Sequence, residues 1–208
     1  MTLVPVELAP EAAPLPEPVD ALIRDAAARI DRFVEARTDD PIFGFVPSDF
    51  AAVYRVLWTI RSRRLAPGDA FLEWGSGFGV VALLAASLGF EATGIEIEPA
   101  LVAEARRLAA DHGLPVEFHE GSFLPAGAEP LADRTEEFAW LDVDGESAYE
   151  EMGLDPDDFD VIFAYPWPGE EHVVVDLFDA CAATGALLVT YEGVEAVRVQ
   201  RKARRRLR

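Results

Sequence analysis

Residues 71–79 read FLEWGSGFG, an apolar segment that leads into three alternating glycines. Glycine allows the backbone to turn sharply and to approach a ligand closely. A helix that begins at Val80 would present its N-terminus to the same ligand, which favours a carboxylate or a phosphate there. The segment therefore predicts a strand, a ligand-binding turn and a helix in succession, although a tight turn without any ligand would show the same pattern.

A second predicted strand, Glu91–Glu96, ends in an acid that lies 23 residues after Glu73. A carboxylate at the end of a neighbouring strand can accept both hydroxyl groups of a ribose. A dinucleotide-binding loop would have its third glycine at position 80, where this chain has Val80. The spacing thus disfavours NAD and FAD, and the alternative for Glu96 is a solvated acid.

Strands and helices alternate along the rest of the chain, which predicts the α/β class with a parallel sheet and helices on both faces. The turn signal Glu192-Gly193 predicts a final antiparallel strand over Val194–Val199. The predicted strands are Ala70–Trp74, Glu91–Glu96, Val116–His119, Asp160–Ala164 and Ala186–Tyr191, and the predicted helices include Val19–Arg37, Val80–Leu88, Pro99–His112 and Glu170–Ala183.

Composition limits the class of protein. The 208 residues are 50% hydrophobic, as expected for one folded domain. No run of about 18 uncharged apolar residues exists, so we expect no membrane span. The first 18 residues lack the cationic start of a signal peptide, and the single cysteine, Cys181, fits a reducing compartment. These features predict a cytoplasmic protein.

Charge is distributed unevenly. The chain has 18 basic and 38 acidic residues, a net charge of -20, which opposes binding to nucleic-acid phosphates. We expect a flexible proline-rich leader at 1–18, a single domain at 19–200 with an acidic insertion at about 124–159, and a basic tail at 201–208. The insertion is interpreted as a solvated loop or a docking surface for a basic partner. The tail would remain loose, pair with those acids or bind RNA.

Taken together, the motifs resemble those of the class I S-adenosylmethionine-dependent methyltransferases. The similarity covers roughly Phe43–Gln200 and rests on E-x-G-x-G-x-G at 73–79, GIEIEP at 94–99 and ALVAEAR at 100–106. It implies a Rossmann-like fold with strand order 3-2-1-4-5, an antiparallel strand beside the fifth strand, S-adenosyl-L-methionine as cofactor, and methyl transfer as the reaction.

The resemblance also implies which residues bind the cofactor. Glu96 would hold the ribose, and Ile97 would pack on the adenine. Ser122 stands where the family often has an acid that meets the adenine amine, so this chain departs from the pattern there. The full set of cofactor-binding residues that the resemblance implies is Glu73, Gly75, Ser76, Gly77, Glu96, Ile97, Ser122 and Ala164.

The fourth predicted strand ends in Ala164, and in the family that strand end lies beside the transferred methyl group. Alanine offers no acceptor side chain, which disfavours methylation of adenine or of a glutamine amide. Tyr165 and Trp167 provide an aromatic wall suited to a cationic amine. Glu170, Glu171, Asp49 or Tyr165 could take or orient the proton of that amine. The alternative is a rigid aromatic turn that packs against the edge of the sheet.

Residues 45–49 (FVPSD) resemble a segment of some small protein-lysine methyltransferases that closes over the cofactor. Capping of the next helix by Ser48 or Asp49 explains the same residues. None of the three histidines has a partner at metal-ligand spacing, so we expect no metal. The predicted function is methyl transfer to a protein or a small amine. The alternatives are a small-molecule O-methyltransferase and a cofactor-binding regulatory module without transfer activity.

Overall fold

The computed structural model describes residues 2–8, 15–38, 42, 45–128, 131, 145–167, 169–192 and 197–204. Several predicted features fall partly outside these ranges: the second half of the leader, the centre of the acidic insertion, the hairpin turn after Glu192 and the last four residues of the tail.

The described residues form one seven-stranded sheet with helices on both faces. The strand order is β1-β7-β6-β5-β2-β3-β4. The strands are β1 (Thr2–Pro5), β2 (Ala70–Trp74), β3 (Glu91–Glu96), β4 (Val116–Glu120), β5 (Val161–Ala164), β6 (Leu187–Tyr191) and β7 (Val197–Ala203). The helices are α1 (Glu17–Ala36), α2 (Phe50–Ser62), α3 (Val80–Ser87), α4 (Pro99–His112), α5 (Ala148–Met152) and α6 (Glu171–Cys181), with a 3-10 turn at Pro156–Asp158.

Strands β2 to β6 are parallel to their neighbours within the order β4-β3-β2-β5-β6. This is the predicted order 3-2-1-4-5, and β7 runs antiparallel to β6 as predicted. Strands β5 and β6 are buried along their whole length, as expected for central strands covered on both faces. The predicted fold class is confirmed.

The core has two layers, because successive strand residues point to opposite faces of the sheet. Phe71 and Phe163 face α1 to α4, whereas Leu72 and Ile162 face α5 and α6. The two faces are therefore filled by different helices, and the carboxyl ends of β2 to β5 remain open between them.

The leader prediction is wrong for the first residues of the chain. Thr2–Pro5 form an edge strand that pairs antiparallel with β7, and Val6 N donates to Val199 O at 2.8 Å. The outer edge of β7 offers unpaired backbone groups, and the TLV sequence supplies residues suited to a strand. Pro5, which lacks an N–H, is tolerated because the strand lies at an edge.

The predicted start of the basic tail also requires correction. Strand β7 continues to Ala203, so Arg201 and Lys202 belong to the sheet. Lys202 is only 3% exposed, and its ammonium group donates to the carbonyl of Ala182 at the end of α6. A cation is stabilised there because a helix C-terminus carries partial negative charge. In the described part of the chain, no helix has the length and apolar character needed to cross a membrane.

Candidate active site

A cavity of about 650 Å³ lies at the carboxyl ends of β2, β3 and β5. In open parallel sheets, ligands bind at this edge of the sheet. The cavity brings together all the predicted cofactor-binding residues with Tyr165, Trp167 and Glu170, and the roles of these residues stay predictions. The residues are Glu73, Gly75, Ser76, Gly77, Glu96, Ile97, Ser122, Ala164, Tyr165, Trp167 and Glu170.

The turn between β2 and α3 needs its glycines for their backbone conformation. Gly75, Gly77 and Gly79 have φ angles of 68°, 54° and 68°, in the left-handed region that other residues rarely adopt. Ser76 N donates to Ile95 O at 2.8 Å, and Gly79 N donates to Ser76 O at 2.7 Å. We call residues 75–79 the glycine loop.

Glu96 is fixed beside the glycine loop by two backbone hydrogen bonds. One carboxylate oxygen accepts Gly77 N at 2.7 Å, and the other accepts Glu98 N at 3.0 Å. Burial raises the pKa of this carboxyl group above its ordinary value. Each carboxylate oxygen has a second lone pair, so Glu96 can still accept two hydroxyl groups from a ligand.

Glu73 forms a second buried carboxyl group in the same wall. Its Oε2 accepts Ala82 N in the first turn of α3 at 2.8 Å, and the side chain is 4% exposed. Burial, with a smaller contribution from the charge of Glu96, raises the pKa of Glu73 well above 4.5. Two carboxyl groups therefore lie against the glycine loop without a cationic partner among the described residues.

We expect ligand-free protein to lose stability as pH rises from 4.5 through the raised pKa of Glu73. The folded state binds the proton more tightly than the unfolded state, so deprotonation costs more in the folded state. Glu73→Gln keeps an acceptor for Ala82 N but cannot ionise. Thermal melts should show this variant gaining stability over wild type as pH increases. A constant difference between the two proteins from pH 5 to 8 would contradict the assignment.

Ser76 and Ser122 provide hydroxyl groups to the cavity. Ser76 Oγ is buried, and no described group forms a hydrogen bond with it. Ser122 Oγ accepts Leu124 N at 3.2 Å, and Ser122 N donates to Glu146 O at 2.8 Å. The Ser122 amide is thus already paired, whereas the hydroxyl hydrogen and the second lone pair of Oγ remain to contact an adenine.

The turn after β5 also lines the cavity. The Tyr165 ring meets the Tyr191 ring edge-on, with 4.8 Å between centroids, and burial raises the pKa of Tyr165. Glu170 N donates to Trp167 O at 2.9 Å, which closes the turn, and the Glu170 side chain is 5% exposed. Pro168 lies outside the described residues. An aromatic wall and an acid therefore lie on the same side of the cavity.

Two other acids considered as proton acceptors do not line the cavity. Asp49 accepts Ala52 N at 2.9 Å and so caps α2, which decides between Ser48 and Asp49 as the cap. Glu171 accepts Gly169 N at 2.8 Å on the exposed surface. Across the described ranges, no group of three His, Cys, Asp or Glu side chains is placed to hold a metal ion.

Residues 45–48 line the cavity, and Phe45 packs on Phe78 of the glycine loop with ring centroids 5.5 Å apart. Sequence reasoning missed Trp74 and Phe123, whose rings stack 5.3 Å apart in the cavity wall. Trp74 lies within the sequence motif of the glycine loop, so its place near the site could have been predicted. Its contacts could not be predicted, because the partner residues come from a distant segment of the chain.

Comparison with known proteins supports the fold. No protein-family model matches the chain. A segment of 69 residues is 41% identical to the ribosomal protein L11 methyltransferase of Thermus thermophilus, covering 32% of this chain and 27% of that protein. The chain thus spans about a quarter of the length of this curated relative.

Three solved structures of similar fold are methyltransferases. A methyltransferase from Geobacter sulfurreducens has a TM-score of 0.53 and 17% identity, over 92% of this chain and 93% of that chain. An O-methyltransferase from Bacillus cereus in complex with S-adenosylhomocysteine has a TM-score of 0.53 and 15% identity, over 86% of this chain and 68% of that chain. An RNA methyltransferase from Salinibacter ruber with the same ligand has a TM-score of 0.51 and 21% identity, over 75% of this chain and 92% of that chain. This chain therefore has the Rossmann-like fold of the class I methyltransferases, and the predicted resemblance is confirmed for the fold.

Proposed function

We propose that this protein is an S-adenosylmethionine-dependent methyltransferase. The observation that carries the proposal is the hydrogen bond between Gly77 N and Glu96, which joins the glycine loop to the acid of the neighbouring strand. The cavity beside them, about 650 Å³, is within the size range of small-molecule sites. The proteins of similar fold from Bacillus cereus and Salinibacter ruber were crystallised with S-adenosylhomocysteine.

The residues present fit this cofactor. Ser76 Oγ is a buried hydroxyl without a partner among the described residues, an arrangement that costs free energy unless a ligand supplies the hydrogen bond. A Cβ placed at Gly75 would meet no described neighbour within 4 Å, so the backbone is open to the cavity there. Glu73 can neutralise a cationic group, and Glu96 can accept ribose hydroxyl groups.

When bound, S-adenosylmethionine supplies an electrophilic methyl group. In this proposal Glu73, Gly75, Ser76 and Gly77 hold its methionine part, and Ile97 and Ser122 contact its adenine. Ala164 ends the strand next to β2, where a small side chain leaves space for the reacting groups. The protein contributes mainly by positioning and by excluding water.

We propose an amine, on a protein or a small molecule, as the methyl acceptor. Tyr165 and Trp167 would attract a cationic amine through their ring faces. Glu170 would accept or orient its proton, whereas the raised pKa of Tyr165 keeps its hydroxyl group protonated. The net charge of -20 favours a basic partner. The Thermus relative is named for a protein acceptor, ribosomal protein L11.

Two measurements test these proposals in sequence. Calorimetric titration with S-adenosylmethionine and S-adenosylhomocysteine should show binding, and its absence would refute the proposed activity. Incubation with methyl-labelled cofactor and cell extract should then place label in protein or in small amines. Label in nucleic acid, in base-labile methyl esters or in base-stable methyl ethers would refute the amine acceptor. Binding without any transfer would support the regulatory alternative.

Trp167→Ala should lower the turnover number by about tenfold or more. The amine nitrogen becomes cationic as it accepts the methyl group, and a desolvated cation–π contact with that charge is worth about 2 kcal/mol. Cofactor affinity should stay within about threefold, since the wall faces the acceptor in this proposal. Trp58→Ala, on the half-buried surface of α2, is the matched control. Loss of both turnover and cofactor affinity in Trp167→Ala would show that the turn only supports the fold.

A further inference from the structure

Phe118 lies beneath the glycine loop without lining the cavity. It stands on β4 in register with Gly94 of β3, and its side chain is 3% exposed. Its carbonyl accepts a hydrogen bond from the Arg106 guanidinium at 2.6 Å, which fastens β4 to α4. The backbone that carries this ring is therefore held on two sides.

The ring reaches the loop across Gly94. A Cβ placed at Gly94 would lie 2.6 Å from Phe118 Cδ1 and 2.9 Å from Ser76 Cβ. Both distances are too short for carbon atoms in contact. The absence of a side chain at Gly94 thus allows Phe118 and Ser76 to pack over the same point of β3.

The ring also meets the far end of the loop. A Cβ placed at Gly79 would lie 2.3 Å from Cε1 and Cζ of Phe118. Gly79 N donates to Ser76 O, so these two residues close the turn. Phe118 therefore packs beneath both ends of the turn that carries the Gly77 amide.

We propose that Phe118 is a positioning residue, which holds the glycine loop in the conformation that binds the cofactor. The inference rests on the proposed function. Three left-handed glycines make this backbone intrinsically free to adopt other conformations. The rigid Phe118 ring beneath the turn excludes the alternative loop conformations in which the backbone would move toward β4. Without it, only a fraction of molecules would present Gly77 N to Glu96, and the apparent affinity would fall by that fraction.

Phe118→Leu tests the proposal, with Phe71→Leu as the matched control. Phe71 is fully buried in the same core layer but lies at the opposite end of β2. Calorimetry should show S-adenosylmethionine binding weakened roughly tenfold by Phe118→Leu, as expected if a tenth of the molecules keep the competent loop. Phe71→Leu should bind within about threefold of wild type at a comparable loss of thermal stability. Equal affinities in the two variants would overturn the proposal.

A measurement without cofactor separates this proposal from the proposed function. In ligand-free protein, amide exchange followed by NMR should be faster at Gly77 in Phe118→Leu than in Phe71→Leu. If wild type binds no cofactor, the proposed function fails, whereas faster exchange at Gly77 would still support the positioning role. Unchanged exchange at Gly77 would refute that role even in a protein that binds cofactor.

A size-compensating pair checks the packing itself. Gly94→Ala should destabilise the protein, because its Cβ would meet the Phe118 ring at 2.6 Å. In the Phe118→Leu background the same change should cost less, since the ring is gone. Additive losses of stability would mean that the ring does not pack over Gly94, and the proposal would then fail.

Discussion

Gly77→Val is expected to abolish cofactor binding. Gly77 has a φ of 54°, and a non-glycine residue in the left-handed region costs roughly 1–2 kcal/mol. A Cβ there would also lie 2.8 Å from the Phe45 ring. The loop must shift to relieve both problems, and the Gly77 amide then leaves Glu96. Calorimetry should detect no binding at S-adenosylmethionine concentrations about 100-fold above the wild-type dissociation constant, a loss of about 2.7 kcal/mol or more.

Gly113→Val is the control for the backbone effect alone. Gly113 follows α4 with a φ of 62°, and a Cβ placed there would meet no described neighbour within 4 Å. Its valine variant should bear the same kind of strain but bind cofactor as wild type does. Equal binding by both variants would show that the glycine loop does not bind the cofactor.

The central fold was predictable because its signals are local. Strand β2, the glycine loop and α3 follow one another within residues 70–87, and each is marked by its own residues. Pro99 at the start of α4 and Gly113 at its end are equally local. The strand order required the family resemblance, since periodicity alone does not order strands.

The edges of the sheet were not predictable in the same way. Thr2 pairs with Ala203 at the other end of the chain, and no local pattern reports such a contact. The basic residues at 201 and 202 look like the start of a charged tail. Lys202 is nevertheless buried, because the end of α6 supplies a carbonyl group for it. Net charge cannot reveal this pairing.

The candidate site was likewise predictable only where its residues belong to local sequence motifs. Sequence motifs located the glycine loop and Glu96, which lie close together in the chain. The remaining wall comes from several segments, such as Trp74 and the Phe123 ring that stacks on it. The Trp74 side chain is held in place by a distant residue, because its N–H donates to the Tyr149 hydroxyl at 2.7 Å across 75 positions of sequence. Helical spacing in α1 predicts only that Ile30 is buried, whereas the structure places it at the cavity. Such neighbours become visible only when the chain is folded.

Glu96→Ala is expected to weaken S-adenosylmethionine binding more than any other single side-chain truncation. Two hydrogen bonds from ribose hydroxyl groups to a carboxylate contribute about 1.5–3 kcal/mol each, so the loss should be at least about tenfold. The variant also removes the acceptor of Gly77 N, which loosens the glycine loop. Titration of the folded variant, verified by circular dichroism, measures the effect.

Glu120→Ala is the matched control, because Glu120 pairs with Glu96 at the carboxyl end of the adjacent strand but is exposed and lies outside the cavity. It removes the same charge and should leave affinity within about twofold, the difference expected from long-range electrostatics in salt. Glu96→Gln separates the two roles of Glu96, since an amide oxygen can still accept Gly77 N but presents no charge to the ribose. Intermediate affinity for Glu96→Gln would assign part of the effect to loop support. Wild-type affinity in folded Glu96→Ala would refute the ribose contact, because no other described acid lies at that strand end with both oxygens directed by backbone amides.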